Sequence, residues 1–449
     1  MGSEWTEITI GDLGKVITGK TPSTHDDANF GGHIPFVTPR DLNGTRKITK
    51  TERYLTEMGT KSIKNAVIPA HAVMISCIGS DMGKAAIASE CCVTNQQINS
   101  IIVGKQFDHK YVYYNLSTRK DEIRGLAGGS AQPILNKRNF SQLDILLPPL
   151  PEQRAIAHIL GSLDDKIELN RRMNETLEAM AQAMFKSWFV DFDPVIDNAL
   201  AAGNEIPETL KEKAAVRKSL GDARKPLPEE IRNLFPSEFE YSDEMGWIPK
   251  GWEVKTLDEL VDLIGGGTPK TSVIEYWNGN IPWFSVVDAP NVTDVFVIDT
   301  EKHITQLGLD KSSTKILPIG TTIVSARGTV GKCAMTGKPV AMNQSCYGVR
   351  GKSNISNTFV YYTIREKVTD LQRSGHGSVF NTITRDTFKT IQMPFGETDL
   401  TQELEKQIKP DFDRILANCH QIENLSNLRD TLLPKLLSGE IRIPEKGEV

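Results

Sequence analysis

One stretch limits what this chain can fold into more than any other. It runs from Glu152 to Phe189, behind Pro148, Pro149 and Pro151, with no further proline until Pro194. Ile156, Leu160, Leu163, Ile167, Leu177, Ala181, Met184 and Trp188 step by alternating fours and threes, and only Asn170 and Asn174 interrupt the series. A 3.5-residue period of this length describes a narrow apolar seam on one long helix, the coiled-coil pattern. At about 1.5 Å per residue such a helix is roughly 55 Å long. One seam cannot bury itself, so it needs a partner. Moving each position on by 248 gives Leu404, Ile408, Asp411, Ile415, Asn418, Ile422, Leu425, Arg429, Leu432 and Leu436. All but Asp411 and Arg429 suit a seam, and Asn418 falls on the copy of Asn170. Agreement at a fixed offset points to an internal duplication. In an antiparallel pair the middles meet, so Asn418 is expected beside Asn170 or Asn174, where a buried polar pair would set the register.

The duplication extends to what precedes each helix. Trp5, Thr21-Pro22 and Ile34-Pro35 return as Trp252, Thr268-Pro269 and Ile281-Pro282, 247 positions on. Asn95-Gln96, Tyr113-Tyr114, Gly129-Ser130 and Phe140 return as Asn343-Gln344, Tyr361-Tyr362, Gly377-Ser378 and Phe388, 248 positions on. Short strand candidates such as Val73 to Ser76 and Ile98 to Val103, with frequent Gly/Pro punctuation, make each block a mixed globule. The expected class is therefore α+β: two pseudo-repeated mixed α/β globules separated by two long antiparallel coiled-coil helices. The expected bounds are 1–150 for the first globule, 151–246 for the central helix and linker, 247–397 for the second globule and 398–449 for the C-terminal helix. Between the first helix and the second globule, the charged, Pro-spaced residues 191–252 read as short helices and a solvated linker.

Composition excludes several functions. No apolar run approaches the ~18 residues of a membrane span, and the N-terminus lacks the pattern of a secretory signal. Six cysteines without C-x-x-C or metal spacing read as reduced thiols of a cytoplasmic protein. The net charge of −5 sits in the helical segments, while both globules carry a slight basic surplus, which permits a nucleic-acid partner. Two Gly-Lys sites, Gly79 to Lys84 and Gly328 to Lys332, tempt a phosphate-loop reading. Their glycines are too closely spaced, and Ala85 and Cys333 stand where Ser or Thr would hold magnesium. No hydrolase, zinc-protease or dinucleotide motif occurs.

What remains is donor-rich loop material present in both blocks. Asn and Gln amides can read adenine and Arg or Lys guanine through paired hydrogen bonds, while Ser, Thr and Lys more often hold phosphates. On that chemistry the candidate ligand contacts are Lys20, Thr21, Ser23, Thr38, Arg40, Lys84, Gln97 and Ser130 in the first block. In the second they are Lys270, Ser285, Arg327, Lys332 and Ser378. Asn95-Gln96 and Asn343-Gln344, kept in both copies, are expected to serve the fold.

The whole arrangement resembles the specificity subunits of Type I restriction–modification systems. The residues that carry the likeness are Leu147-Pro148-Pro149-Leu150-Pro151-Glu152-Gln153-Arg154-Ala155-Ile156, then Leu163-Asp164-Asp165-Lys166-Ile167, and the segment from Thr431 to Ile441. Thr38-Pro39-Arg40-Asp41-Leu42 and Thr94-Asn95-Gln96-Gln97-Ile98-Asn99 in the first globule add to it. The second copy departs, with Val286-Val287-Asp288-Ala289 where the first has Pro39-Arg40-Asp41-Leu42, read as displaced by one. The resemblance implies two target recognition domains, each reading half of a split sequence in double-stranded DNA. It implies no catalytic site and no cofactor in this chain. Methyltransferase subunits would bring S-adenosylmethionine, and motor/nuclease subunits ATP and magnesium. The competing reading, a free-standing enzyme or nucleotide-dependent motor acting on nucleic acid, rests on the two Gly-Lys loops alone.

Overall fold

A computed structural model describes residues 5–126, 134–221, 226–374 and 382–443. The chain divides into two compact units, one of residues 1–167 with 424–449, the other of residues 168–423. Each takes one part of both long helices, Leu150–Phe189 and Thr398–Leu437.

In the first unit, Thr6–Thr9 pairs antiparallel with Asp144–Leu147 and ties the start of the globule to its end. A five-stranded sheet has the order Gly14–Thr18, Ile98–Val103, Val73–Ser76, Ala85–Ala88, Lys47–Ile48. A smaller sheet has the order Arg53–Leu55, Phe30–Val37, Cys92–Thr94, Val67–Ile68. Val73 to Ser76 are all buried, as a strand covered on both faces requires. The second unit repeats this. Glu253–Thr256 pairs with Gln392–Phe395. Val261–Gly265, Cys346–Gly351, Thr322–Ser325, Cys333–Thr336 and Phe296–Val297 form its five-stranded sheet. The smaller sheets share even their irregularity. Phe30 and Ile34 both register on Leu55, and Trp277 and Ile281 both register on Ile304. A bulge kept in both copies is a designed bend.

The helices are buried more broadly than a two-stranded seam requires, because each also covers a globule. Ile156 and Leu160 are 0% exposed within a core of Tyr111, Tyr114, Phe140 and Leu436. Phe185, Trp188 and Phe189 join Leu404, Ile408 and Phe412 around Phe359, Tyr361 and Tyr362 of the second unit. Each such side chain is worth roughly 1.5–3 kcal/mol before ordering costs. Pro151 falls in the first turn of its helix, where a missing N–H costs nothing. The two helices run antiparallel within each unit. In the first, Asp164 accepts from Arg429 at 2.8 Å and Glu152 from Arg442 at 2.7 Å. In the second, Asn170 donates to Gln421 and Asn418 to Asn174, both at 2.8 Å. Asn170, Asn174 and Asn418 are all buried.

The segment read as a solvated linker is instead folded into the second unit. Phe192 takes a left-handed φ of 56° and starts the helix Asp193–Ala202. Phe192, Val195, Ile231 and Phe235 belong to the core around Trp188 and Trp252. The charges there pair among themselves, with Arg217 on Asp193 and Asp197.

Candidate nucleic-acid interface

The residues singled out in sequence fall on a few loops that are stitched to one another. In the first globule Lys20 N donates to Thr94 O, Asn95 N to Val37 O, and Cys77 N to Gln97 O, at 2.7–2.9 Å. In the second, Gly267 N donates to Met342 O, Asn343 N to Phe284 O, and Ala326 N to Ser345 O, over the same range. The approach leaves no room for a side chain at Gly19, where a Cβ would lie 2.1 Å from Asn95 O, or at its copy Gly266, 1.9 Å from Asn343 O.

Side chains complete the frame. Thr21 Oγ1 donates to Gln96 Oε1 at 2.6 Å, and Thr268 makes the same bond to Gln344. Asn95 Oδ1 accepts from Gln97 N at 3.1 Å, and Asn343 Oδ1 from Ser345 N at 3.0 Å. Thr38 donates through N and Oγ1 to Asp41 Oδ2 at 2.7 and 2.8 Å, and Ser285 does so to Asp288 Oδ2 at 2.7 and 2.9 Å. The second oxygen of each aspartate accepts from Glu52 N or Glu301 N. Asp41 and Asp288 therefore align without displacement, and the shift by one read from the sequence is corrected. The offset here is 247, becomes 249 by Leu55 and Ile304, and is 248 by Asn95 and Asn343. These two aspartates were missed as frame residues. Their signal was the Ser/Thr-x-x-Asp spacing of a capping box.

Eight of the remaining candidates sort by exposure and partner. Lys20, Ser23, Arg40, Lys270, Arg327 and Lys332 are exposed. Lys84 is half-buried, with its ammonium 2.7 Å from Asp81. Gln97 accepts from Asn95 through its side chain. Ser130 and Ser378 lie outside the described residues.

The Gly-Lys loops are turns closed on themselves. Met82 N, Gly83 N and Lys84 N donate to Gly79 O, Ser76 O and Asp81 O, and Gly331 N donates to Ser325 O. Lys332 N donates to Ser325 Oγ. Amides spent in this way cannot cradle a phosphate. Each loop also rests on a helix, through Arg124 on Ser80 O and Gln372 on Val330 O.

The Leu163-Asp164-Asp165-Lys166-Ile167 segment acquires a physical reason. Arg46, its side chain 6% exposed, lies 2.5 Å from Asp165 and 3.9 Å from Asp164, and donates to Tyr114 Oη at 3.0 Å. Tyr114 donates to Asp164 at 2.5 Å, and Arg429 closes the cluster. Burial works against the charge on Arg46, but Tyr114, Asp165 and Asp164 outweigh it and hold its pKa up. In the second unit the corresponding positions carry Val295, Phe412 and Ala181, all buried. Phe412 packs on Phe296, Tyr361 and Tyr362 at 5.6–6.1 Å. The ion pair moves to Arg365 and Glu178, which are in contact.

Among the described residues no group of three or more His, Cys, Asp or Glu could hold a metal, and no helix is long and apolar enough to cross a membrane.

A family model described as the Type I restriction modification DNA specificity domain matches the chain twice, over residues 2–179 and 249–424. The chain is 28% identical to the MjaIX Type I restriction enzyme specificity subunit of Methanocaldococcus jannaschii, over 98% of this chain and 94% of that protein. It is 27% identical to the HindI specificity subunit of Haemophilus influenzae, over 98% of this chain and 100% of that protein. The crystal structure of a Type I restriction–modification S subunit from M. genitalium shares the fold, with a TM-score of 0.58 at 16% identity over 96% of both chains. With both halves matched and each match spanning a globule and most of the helix that follows it, the chain belongs to the Type I restriction–modification DNA specificity family.

Proposed function

We propose that this chain is the DNA sequence-specificity subunit of a Type I restriction–modification complex. Each globule reads one half of a bipartite target in double-stranded DNA. The long helices fix the spacing of the halves and dock methyltransferase subunits. The chain is a recognition component without chemistry of its own. S-adenosylmethionine belongs to the methyltransferase partners, and ATP with magnesium to motor/nuclease partners. The observation that carries this reading is the loop frame built twice, with different exposed side chains on it. Lys20, Lys84, Lys270, Arg327 and Lys332 suit phosphates, while Arg40 and Gln97 suit base edges. Thr21, Thr38 and Ser285 hold the loops that present them, and Ser23 is exposed two residues after Thr21. The slight basic surplus of each globule implies weak, steeply salt-dependent binding by the chain alone and tighter binding with its partners.

Mapping methylated adenines in cells with and without the gene tests the reading. Loss of one split motif on deletion is the expected result. An unchanged methylation pattern would refute it. ATP binding by the isolated chain would favour the nucleotide-dependent motor, a reading that the self-closed Gly-Lys loops disfavour.

A further inference from the structure

We infer that residues 40 and 287 are one specificity-determining position, used once by each globule: Arg40 reads a guanine in the first half-target, and Val287 the 5-methyl group of a thymine in the second. The inference rests on the DNA-reading function above and assigns it to particular side chains.

The argument begins with the frame. Asp41 N donates to Thr38 O and Asp288 N to Ser285 O, each at 3.0 Å. With the side-chain bonds of Asp41 and Asp288, this holds the two enclosed residues on matching backbone turns. The first enclosed residue faces inward, Pro39 buried and Val286 half-buried. The second faces outward. Arg40 is exposed, and Val287 is 71% exposed. A long cation and a branched apolar side chain thus stand at one place on two copies of one scaffold.

Neither identity has a folding reason. The turn is closed by its neighbours, and no described hydrogen bond or ion pair uses the Arg40 side chain. A valine so exposed forfeits the stabilisation that burial would give it. Positions that close the frame keep their chemistry between copies: Thr21 with Thr268, Gln96 with Gln344, Asp41 with Asp288. An exposed position that changes on a fixed frame is where two related heads can differ in what they read.

The chemistry then selects the bases. A guanidinium matches the O6 and N7 acceptors of guanine in the major groove with two parallel hydrogen bonds. An apolar side chain has one distinctive partner there, the methyl group of thymine.

The test complements a deletion strain with the full chain carrying Arg40→Val or Val287→Arg, and maps adenine methylation genome-wide. Arg40→Val should relax a guanine at one position of one half-target, by about ten- to hundred-fold in relative methylation, and leave the other half unchanged. Val287→Arg should replace a thymine preference by a guanine preference at one position of the opposite half. Arg40→Lys, which keeps the charge but not the planar fork, should relax the same guanine as Arg40→Val. A motif unchanged in both main variants would overturn the inference, as would a uniform loss across all sequences rescued by Arg40→Lys, the mark of a phosphate contact. Deletion without any loss of methylation would instead sink the proposed function itself.

Discussion

Asp164 and Asp165 are neighbours in sequence, yet the structure assigns them unequal roles. Asp164 has a side chain 12% exposed and accepts from Tyr114 at 2.5 Å and Arg429 at 2.8 Å. Asp165 has a side chain 65% exposed and, among the described residues, pairs with Arg46. Asp164→Ala removes two charge-assisted bonds and leaves the nearly buried Arg46 guanidinium with the exposed Asp165 as its remaining carboxylate, beside Tyr114 and Gly161 O. Breaking such a cluster from one side costs about 3–5 kcal/mol. Asp165→Ala loses a pair that solvent screens on one side, worth about 1 kcal/mol. The second unit supplies an internal rescue. The triple variant Arg46→Val, Asp164→Phe, Arg429→Ala installs the residue types of Val295, Phe412 and Ala181. Replacing a buried ion cluster by apolar packing is neutral or stabilising by about 1–4 kcal/mol in comparable sites. The triple should therefore recover most of the loss caused by Asp164→Ala. A chain of two units need not unfold in one step, so the assay is amide hydrogen exchange over residues 156–167, read as opening free energy. Equal losses for the two aspartates, or a triple variant less protected than Asp164→Ala, would refute the reasoning.

Three further outcomes can be measured. Gly19→Ala and Gly266→Ala each place a methyl group about 2 Å from a backbone oxygen, so each should prise apart one loop cluster. Gly19→Ala should abolish recognition of one half-target and Gly266→Ala the other, with circular dichroism unchanged; an intact methylation motif in either would contradict this. Asn174→Leu combined with Asn418→Leu removes a buried amide pair and should raise the melting temperature by a few degrees while admitting targets of altered spacing; unchanged stability together with an unchanged motif would show that the pair does not set register. Burial first, and then His71, Lys110 and Lys47 against the opposing Asp108, hold His109 below its ordinary pKa of 6.5. Above that value both folded and unfolded chains carry it neutral. As pH falls through 6.5 the unfolded chain takes the proton first, so the first unit loses stability there. His109→Gln should flatten this loss between pH 7.5 and 5.5, and an equally steep loss in the variant would reject it.

The long helices were legible because a 3.5-residue period needs no knowledge of the partner. The duplication was legible because two copies of the chain can be laid on each other. Even so, one seam slot was misplaced. The second helix buries Phe412, while Asp411, which the fixed offset puts at a seam position it does not suit, is half-buried with its carboxyl pushed up by burial. A strict heptad extrapolated from the first helix cannot foresee that Phe412 is wanted by Tyr361 and Tyr362. The folding of residues 191–252 was hidden for a related reason. The buried residues of its first helix, Phe192, Val195, Ile196 and Ala199, span barely two turns, and Ala214, Ile231 and Phe235 follow singly, too little for a periodic signal among so many charges. At the candidate interface the sequence named loops that the structure stitches together, but not the division of labour within them. That Thr21 and Thr38 spend their hydroxyls inside the protein depends on Gln96 and on the turn at Asp41, and pairings of this kind appear only in three dimensions.

The two units also differ where difference brings no reading. Arg46, Asp164 and Arg429 anchor the helices in the first unit, while Val295, Phe412 and Ala181 hold the same places in the second. Glu178 meets Arg365 in the second unit, but its copy in the first is Ser426, and the copy of Arg365 is Ser117. Suppose the end of the first long helix took the place of the end of the second against the first globule. Ala181 would replace Arg429 and leave Asp164 without its second cation. Glu178 would replace Ser426 and arrive with no arginine to meet it. The first weakens a buried cluster that keeps Arg46 and Tyr114, and the second strands a buried charge, at about 3–5 kcal/mol. A duplicated chain begins with helices that fit either globule equally well. Moving the ion pairs to unequal places penalises the exchanged pairing while leaving the correct one satisfied. On this view the anchors differ so that each reading head keeps its own half of the target, and the exposed positions differ so that the halves are not the same.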